Sequence, residues 1–320
     1  MTNYASRPHD QPLKAIILMV GGVLMFSVAD ALIKAMSGIY PIGQIMTFRN
    51  IFACIPMAFY FYRTSGFAFF KTKRLGLQLL RGLIGVISMA SIFVAFKLMP
   101  LAEAVALTMS STIFLAALSG FLLREAVGWK RWIAIWVGFI GVLLITRPGK
   151  NLFDGVALFA LASAFLFALS MICVRHLSKT DSGATTIFYF ILVCLIGSFL
   201  TIPWQWISPD HIWVKQGIIG WAPPALRDVG ILALIGCVGG AAQIAMTQAF
   251  RIAPAAVVAP FQYTDILYSI IWGYLFWAEV PDLYLYAGGA LITLSGIFIV
   301  RHEVKRRQIN SQKIARKTNH

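Results

Sequence analysis

Ionisable side chains inside long apolar stretches are the residues of this chain that could do chemistry. Asp265 lies eleven residues after Pro254, which corresponds to about 16 Å along a helix and places its carboxylate deep inside an apolar segment. A charged group at the centre of a lipid bilayer costs at least about 2.5 kcal/mol, and a two-carbon side chain is too short to reach water. We therefore expect Asp265 to bind a substrate cation or a coupling proton; burial for stability alone, beside an arginine or a tyrosine, is the other interpretation.

The residues just before Asp265 are polar as well. Gln262 and Tyr263 precede it, and Pro260 lacks the N–H that an unbroken helix would use, so we expect a kink there. A kinked helix with polar groups at mid-depth is typical of membrane proteins that bind a substrate or an ion near the bilayer midplane. The remaining candidates for the lining of such a site are Ser111, Arg81, Gln243 and Trp272.

Other charges lie nearer to the ends of apolar segments. Asp30 and Lys34 are four residues apart, which places them on one helix face and predicts an ion pair between them. The long stem of Arg81 can either reach the membrane surface or line a cavity, and both interpretations stay open. Glu103 and Glu279 stand at helix ends, where we expect them to cap helices or to pair with basic residues.

One pattern would indicate an enzyme. His176 and Asp181 match the H-x-x-x-x-D arrangement of membrane acyltransferases, in which the Asp orients a His base. We weigh against this interpretation because the match falls in a short loop and no soluble domain is expected. The chain has no phosphate-binding loop, zinc-ligand spacing or nucleophile elbow, and its four cysteines lack paired spacing. No catalytic residue, metal ligand or cofactor is therefore predicted.

The composition specifies the environment in which these residues must work. Of 320 residues, 59% are hydrophobic and 12% are charged, whereas a soluble domain has about 45–50% and about 25%. This excess excludes soluble enzymes and nucleic-acid binders and indicates a membrane protein. Ten segments have the roughly 20 apolar residues that a membrane-spanning helix needs. Their predicted limits are 14–36, 42–62, 76–98, 101–123, 129–147, 155–177, 184–206, 229–250, 254–277 and 283–301.

The basic residues predict the orientation of these helices. When the loops are sorted alternately, most of the 27 Lys and Arg residues fall on one side, together with both termini. Positive charge collects on the cytoplasmic side of membrane proteins, so both termini are expected there. We expect the basic tail at 306–320 to bind anionic lipid rather than nucleic acid.

The two halves of the chain resemble each other at a constant offset of 154 residues. The clearest phrase is Ala95-Phe96-Lys97-Leu98-Met99-Pro100, which aligns with Ala249-Phe250-Arg251-Ile252-Ala253-Pro254. The other matched pairs are Gly82 with Gly236, Gly85 with Gly239, Glu125 with Glu279, and Arg147 with Arg301. Five helices per half is an odd number, so the second half must enter the membrane from the opposite side. Such an inverted repeat is typical of alternating-access transporters.

Several short motifs make the chain similar to a known family. They are Phe48-Arg49, Leu80-Arg81-Gly82, Pro100-Leu101-Ala102-Glu103-Ala104, Gly138-Phe139-Ile140-Gly141-Val142, Arg147-Pro148-Gly149, Ala259-Pro260-Phe261-Gln262-Tyr263 and Glu279. In order and spacing the chain resembles the EamA-type branch of the drug/metabolite transporter superfamily, and within it carriers of the S-adenosylmethionine-uptake and riboflavin-uptake kind. The resemblance implies ten helices around a central cavity. It places the second helix outside that cavity, so Arg49 is expected to pair or to gate.

Together these observations predict an all-α integral membrane protein with ten transmembrane helices in two inverted five-helix repeats, residues 1–150 and 151–305, and a basic tail, 306–320. The expected activity is alternating-access transport of a small zwitterionic or ring-containing metabolite across a bacterial inner membrane. Export of amino acids or toxic compounds is the alternative, and an integral-membrane enzyme is a distant one. The expected partners are the metabolite, membrane lipid and, as an option, a second copy of the chain, with no nucleic acid.

Overall fold

A computed structural model of the chain describes residues 12–64, 72–122, 129–146, 155–178, 180–252 and 258–318. Over these ranges the structure consists of helices and connecting turns, without β-strands. A 3-10 helix, Ala259–Tyr263, directly precedes the helix named α12. The α-helices are α1 (Pro12–Ser37), α2 (Ile42–Thr64), α3 (Leu75–Leu98), α4 (Leu101–Thr108), α5 (Ser111–Leu122), α6 (Trp129–Thr146), α7 (Val156–Leu177), α8 (Gly183–Phe199), α9 (Trp204–Ile207), α10 (Ile212–Lys215), α11 (Leu226–Ile252), α12 (Thr264–Trp277) and α13 (Leu283–Thr318).

Seven helical stretches in the described ranges are long and apolar enough to cross a membrane, and α6 and α8 are shorter apolar helices. Large apolar side chains lie on the outside: Leu83, Trp136 and Phe276 are 55%, 62% and 65% exposed. Such a surface suits lipid rather than water. The prediction of an all-helical fold is confirmed. The count of ten spans stays a prediction, because the ninth expected segment begins outside the described ranges and continues as the 3-10 helix and the 14 residues of α12.

Two apolar stretches are interrupted at corresponding places. Between α4 and α5, the hydroxyls of Thr108 and Ser110 bond back to the carbonyls of Val105 and Leu107 at 2.7 and 2.6 Å, which competes with regular helix hydrogen bonds. In the second half, the 3-10 helix containing Pro260 ends where α12 begins. Adding the repeat offset of 154 to residues 109 and 110 gives 263 and 264, the junction of those two helices. We call these two places the helix interruptions.

The largest contacts between helices join the two halves of the chain. They pair α1 with α11, α3 with α7, α2 with α11, α3 with α8, and α6 with α13. Shifting α3 by 154 residues gives 229–252, which lies within α11. In chain order α7 and α8 begin the second half as α1 and α2 begin the first, so the pairs α1·α11 and α3·α7 correspond, and so do α2·α11 and α3·α8. This packing has the pattern expected of two similar halves.

Glycines allow the corresponding helices to approach closely. A methyl group at Gly82 of α3 would overlap Val193 of α8, and one at Gly236 of α11 would lie 2.5 Å from Cβ of Phe52 in α2. A methyl group at Gly240 would likewise meet α2. Gly236 and Gly240 therefore serve helix packing, because small residues at these positions bring the backbones together.

Candidate functional site

Three ionisable side chains from three helices, each of them half-buried, extend towards one region of the protein. Asp30 of α1 is within electrostatic range of both Arg49 of α2 and Asp265 of α12. Asp265 follows the second helix interruption by one residue, in the first turn of α12. We refer to Asp30, Arg49 and Asp265 as the charge cluster. The chain thus places two half-buried carboxylates and one half-buried guanidinium in the same region.

Arg49 extends from α2 towards the centre of the protein. Its Nη1 donates to the sulfur of Met89 at 3.0 Å, and its guanidinium carbon lies 5.8 Å from the ring centroid of Phe93. A methyl group at Gly239 of α11 would lie 3.8 Å from Arg49 Nε. A thioether and a ring are weak partners for a guanidinium, so Arg49 depends on Asp30 for compensation of its charge.

Six side-chain polar atoms in the described part of the chain are buried without a hydrogen-bond partner. Four lie on the helices that carry the charge cluster, namely Oδ1 of Asp265 and Nε1 of Trp272 on α12, Nε of Arg49 on α2 and Oγ of Ser27 on α1, and two lie on α3, namely Oε1 of Gln78 and Nε of Arg81. Ser27 is 2% exposed and precedes Asp30 by three residues, which places both on one face of α1. Buried polar atoms are normally satisfied in native proteins. An accumulation of unsatisfied ones is therefore a reason to expect a ligand, an ion or a proton there.

The two helix interruptions meet each other. The hydroxyl of Tyr263 donates to Oγ1 of Thr112 at 3.4 Å, and Tyr263 packs so closely against α13 that a methyl group at Gly296 would overlap its hydroxyl. Ser111, predicted to line the site as the repeat counterpart of Asp265, is the neighbour of Thr112 and is half-buried. The structure therefore brings the predicted residues Tyr263, Ser111 and Asp265 to one region.

A second polar contact closes the end at which α1 and α12 terminate. Nζ of Lys34 lies 2.5 Å from Oε1 of Glu279 and donates to the carbonyl of Met99 at 2.8 Å. The other carboxylate oxygen of Glu279 accepts the N–H of Leu101 at 2.9 Å. These contacts, named the terminal lock, join α1, the start of α4 and the end of α12. The predicted ion pair of Asp30 with Lys34 is wrong, because Lys34 of α1 pairs instead with Glu279, which follows α12.

A cavity of about 250 Å³ lies beside the terminal lock. Its lining includes Glu103, Ile270, Gly273, Glu279 and Leu285. Ile270 is five residues beyond Asp265, so the cavity reaches to within about two helical turns of the charge cluster. The cavity opens at one end of the bundle and does not contain the charge cluster itself.

Arg81 was predicted either to reach the surface or to line the cavity, and the structure gives it a third position. It is 7% exposed and lies between α3 and α8, where Nη1 donates to the carbonyl of Thr186 at 2.8 Å. Its guanidinium carbon is 4.4 Å from the ring centroid of Phe190. These contacts hold two helices together, and Cys194 of α8 lies within electrostatic range of both Arg81 and Arg49.

The other predicted lining residues differ in their surroundings. Gln243 is exposed on α11, and its backbone carbonyl accepts the hydroxyl of Thr247 at 2.7 Å. Gln262 is half-buried in the 3-10 helix. Trp272 stacks on Phe276 with ring centroids 6.0 Å apart. Of these three residues, Trp272 and Gln262 are half-buried and Gln243 is exposed.

The acyltransferase-like pattern has no supporting geometry. Asp181 accepts hydrogen bonds from Oγ1 of Thr72, the N–H of Lys73 and Nε2 of Gln78. The carboxylate of Asp181 thus binds the two residues that precede α3 by a few positions and Gln78 in the first turn of α3, instead of orienting His176. These contacts support a structural role for Asp181 and not a catalytic one.

A family model described as the EamA-like transporter family matches the chain twice, over residues 13–147 and 155–301. A solved crystal structure aligns with a TM-score of 0.59 at 16% identity, covering 92% of this chain and 98% of that one. At that identity the alignment shows the fold alone. The two family matches divide the chain near residue 150, as the repeat does.

Three curated proteins are similar to the chain over most of their length. The pseudopaline exporter of Pseudomonas aeruginosa is 30% identical over 287 residues, which cover 89% of this chain and 95% of that protein. A riboflavin transporter of Vibrio cholerae is 30% identical over 239 residues, covering 74% and 75%. An S-adenosylmethionine uptake transporter of Rickettsia prowazekii is 24% identical over 296 residues, covering 92% and 94%.

Proposed function

The chain belongs to the EamA-like transporter family and is a multi-pass membrane protein that transports small metabolites; on that premise, we propose that it is a secondary carrier whose two halves alternate access to a site at the helix interruptions. The halves are residues 1–150 and 151–305 in opposite orientations, followed by the basic tail, 306–320. No energy-coupling domain is required for such a cycle, since an ion or substrate gradient supplies the free energy.

The observation that carries this proposal is the position of the two helix interruptions. They are related by the repeat offset, they contact each other through Tyr263 and Thr112, and Asp265 follows one of them directly. Interrupted helices at the interface of two repeats are where carriers bind substrates, because unpaired backbone groups and polar side chains become available there. A channel would instead need a continuous pore.

The charges and rings near the interruptions favour a small zwitterionic or ring-containing substrate. Asp265 can face an ammonium or sulfonium group, Nε of Arg49 can face a carboxylate, and Tyr263, Tyr268 and Trp272 supply aromatic surface. The relatives are named for the transport of the small metabolites S-adenosylmethionine, riboflavin and pseudopaline. Uptake, the direction named for the S-adenosylmethionine relative, is the first candidate. Export is the second candidate, favoured by the 30% identity with the pseudopaline exporter.

The terminal lock is proposed as the gate at one end of the site. Lys34 and Glu279 are 9% and 22% exposed in their side chains, so their ion pair is shielded from water and holds α1 against α12. Opening this end requires the pair to separate, and the adjoining cavity gives the substrate an approach. Arg49 and Asp30, predicted as gating or structural residues, belong in this proposal to the charge cluster instead.

We further propose that the protein lies in a bacterial inner membrane with both termini in the cytoplasm, which places the terminal lock at the outer face. The distribution of Lys and Arg among the loops supports this orientation. Single cysteines replacing Lys97 and Lys215 should react with an impermeant thiol reagent applied outside, whereas cysteines replacing Lys71 and Arg251 should not. Reaction at Lys97 and Arg251 from the same face would contradict the inverted repeat.

The direct test of the proposed function is exchange in liposomes. The purified protein should exchange at least one labelled compound from a panel of S-adenosylmethionine, amino acids, nucleosides and riboflavin, with saturable kinetics and without chemical change. Asp265→Asn should reduce exchange, and Asp210→Asn, at an exposed carboxylate, should not. Recovery of a chemically altered compound would contradict the carrier and favour the membrane enzyme.

A further inference from the structure

The charge cluster has an imbalance that the proposed function does not explain. Asp30 and Asp265 carry two negative charges when ionised, and Arg49 carries one positive charge. The cluster therefore has a net charge of −1 if all three groups are charged. An uncompensated charge in the interior of a membrane protein is costly, so a proton or another cation must accompany it.

Other charged groups do not remove this imbalance. Asp265 lies on α12, which packs against α1, α4 and the 3-10 helix. The titratable side chains on those three elements are Lys14, Asp30, Lys34, Glu103 and Tyr263. Lys34 is neutralised by Glu279, Glu103 has a partner of its own, and Lys14 is exposed at the opposite end of α1. Tyr263 carries no positive charge.

Arg49 lies on α2, which packs against α3, α8 and α11, and Cys194 of α8 lies within electrostatic range of it. On α3, Arg81 donates to the carbonyl of Thr186, eight residues and about 12 Å along the helix from Met89, the residue that contacts Arg49. Lys97 of α3 donates to the carbonyl of Gly217, and Asp228 of α11 accepts from Tyr40.

The unpartnered atoms indicate that the compensating species binds within the cluster. Oδ1 of Asp265 and Nε of Arg49 are buried and make no hydrogen bond in the described part of the chain. Oγ of Ser27, on the face of α1 that carries Asp30, is likewise buried without a hydrogen bond in the described part of the chain. A carboxylate oxygen and a hydroxyl are suitable acceptors for a proton, an ammonium or a contact with a sulfonium group.

We propose that the charge cluster holds one unit of positive charge in every stable state: a proton when the site is empty, and either that proton or a metabolite of net charge +1 when the site is occupied. This inference rests on the proposed function for its substrate class. A metabolite of net charge +1 releases one proton from the carboxyl pair to water as it binds, so it is exchanged against a proton. A metabolite of net charge zero leaves the proton in place, so the two are carried together.

Infrared difference spectroscopy of the full-length protein in lipid nanodiscs tests the empty state without a ligand. At neutral pH the wild type should show the carbonyl stretch of one protonated carboxylic acid. Asp265→Asn and Asp30→Asn should each abolish that band, because the remaining carboxylate then balances Arg49. Arg49→Gln should raise it to about twice the wild-type intensity, and the control Asp210→Asn should leave it unchanged.

The occupied state is tested with a matched pair of probes. S-adenosylmethionine and S-adenosylhomocysteine differ by one methyl group and one positive charge. Binding of S-adenosylmethionine should remove the band, with release of one proton per protein measured in weak buffer. Binding of S-adenosylhomocysteine should leave the band in place. Lysine and norleucine form a second pair with the same difference in net charge and the same expected outcome.

Three results would overturn the inference. They are the absence of a protonated-acid band in the wild type, its persistence in either Asn variant, and its persistence when a probe of net charge +1 is bound. Failure of exchange in liposomes with the band present would contradict the proposed function and leave the charge inference standing. Exchange in liposomes without the protonated-acid band would support the proposed function and contradict the charge inference.

Discussion

Arg81 has the surroundings of a structural arginine. It joins α3 to α8 through the carbonyl of Thr186 and the ring of Phe190. Arg81→Gln removes both contacts in a buried place, so we expect the free energy of unfolding to fall by about 2 kcal/mol, with substrate affinity unchanged. Thermal unfolding in detergent measures the effect, with exposed Arg74→Gln as the control. Lost affinity at unchanged stability would place Arg81 at the substrate site.

Asp181 should make stability depend on pH. Burial of its carboxylate acts to raise its pKa, but hydrogen bonds from Thr72, Lys73 and Gln78 outweigh this and lower the pKa below its ordinary value of 3.8. A lowered pKa means that the stabilisation is present above 3.8 and is lost as the pH falls through the folded-state pKa. Asp181→Asn should therefore unfold at a lower temperature than the wild type at pH 7.

The gap in melting temperature between the wild type and Asp181→Asn should close as the solution is acidified below about pH 4. Asp210→Asn is the matched control, because Asp210 is 94% exposed in its side chain and pairs only with Lys215 among the described residues. A gap that stays constant from pH 7 to pH 3 would show that the charge of Asp181 contributes nothing.

At the residue scale, the sequence predicts how deep an ionisable side chain lies in its apolar segment, but it does not predict which side chain it interacts with. The distance of Asp265 from Pro254 indicated its buried position, and the kink residue Pro260 indicated the polar region. The ion pair of Lys34 with Glu279 joins residues 245 positions apart, so local spacing favoured Asp30 instead. Arg49 was expected to pair or to gate because its helix was placed outside the cavity, and its long stem brings the guanidinium within electrostatic range of Asp30, a partner that the sequence did not indicate.

At the element scale, α6 and α13 pack backbone against backbone. A methyl group at Gly288 would lie 2.6 Å from the carbonyl oxygen of Gly141, whereas one at Gly289 would meet no atom within 4 Å. Gly288→Ala should destabilise the protein by about 1–3 kcal/mol because the helices must separate. Gly289→Ala, one residue away, should be neutral or stabilise by up to about 1 kcal/mol. Equal melting temperatures for the two variants would contradict this packing.

The terminal lock should control access from one end. Lys34→Met leaves Glu279 without its partner, so this end should open more often, by about five- to thirtyfold for a change of 1–2 kcal/mol. A cysteine replacing Ser27, two helical turns deeper on α1, then reacts faster with an impermeant thiol reagent. Lys215→Met, at an exposed ion pair, is the control. An unchanged rate would show that Lys34 and Glu279 only cap helices.

The helix interruptions differ in how visible they are in the sequence. Pro260 predicts the second one, because proline removes a helix hydrogen bond. The first contains no proline and arises from the hydroxyls of Thr108 and Ser110 bonding to backbone carbonyls. Ser and Thr make such bonds in regular helices too, so their presence does not predict an interruption. Only the repeat offset connects the two places.

At the scale of the whole molecule, the contacts between halves explain how a carrier of this kind can have two states. The pairs α1·α11 and α3·α7, and α2·α11 and α3·α8, correspond to each other. If the halves are inverted, exchanging their conformations opens one end of the site as it closes the other. The terminal lock would then hold the outer end closed in the structure described here.

The most direct test of this account is the access to Ser111 from the two faces of the membrane. A single cysteine at Ser111, in a background without native cysteines, should react with an impermeant thiol reagent in both right-side-out and inside-out vesicles. Two further cysteines are then introduced in place of Lys34 and Glu279 and joined to each other by a short bifunctional reagent. This cross-link should abolish the reaction of the cysteine at position 111 from the outer face and preserve its reaction from the inner face. Reaction from one face only, unaffected by the cross-link, would contradict alternating access.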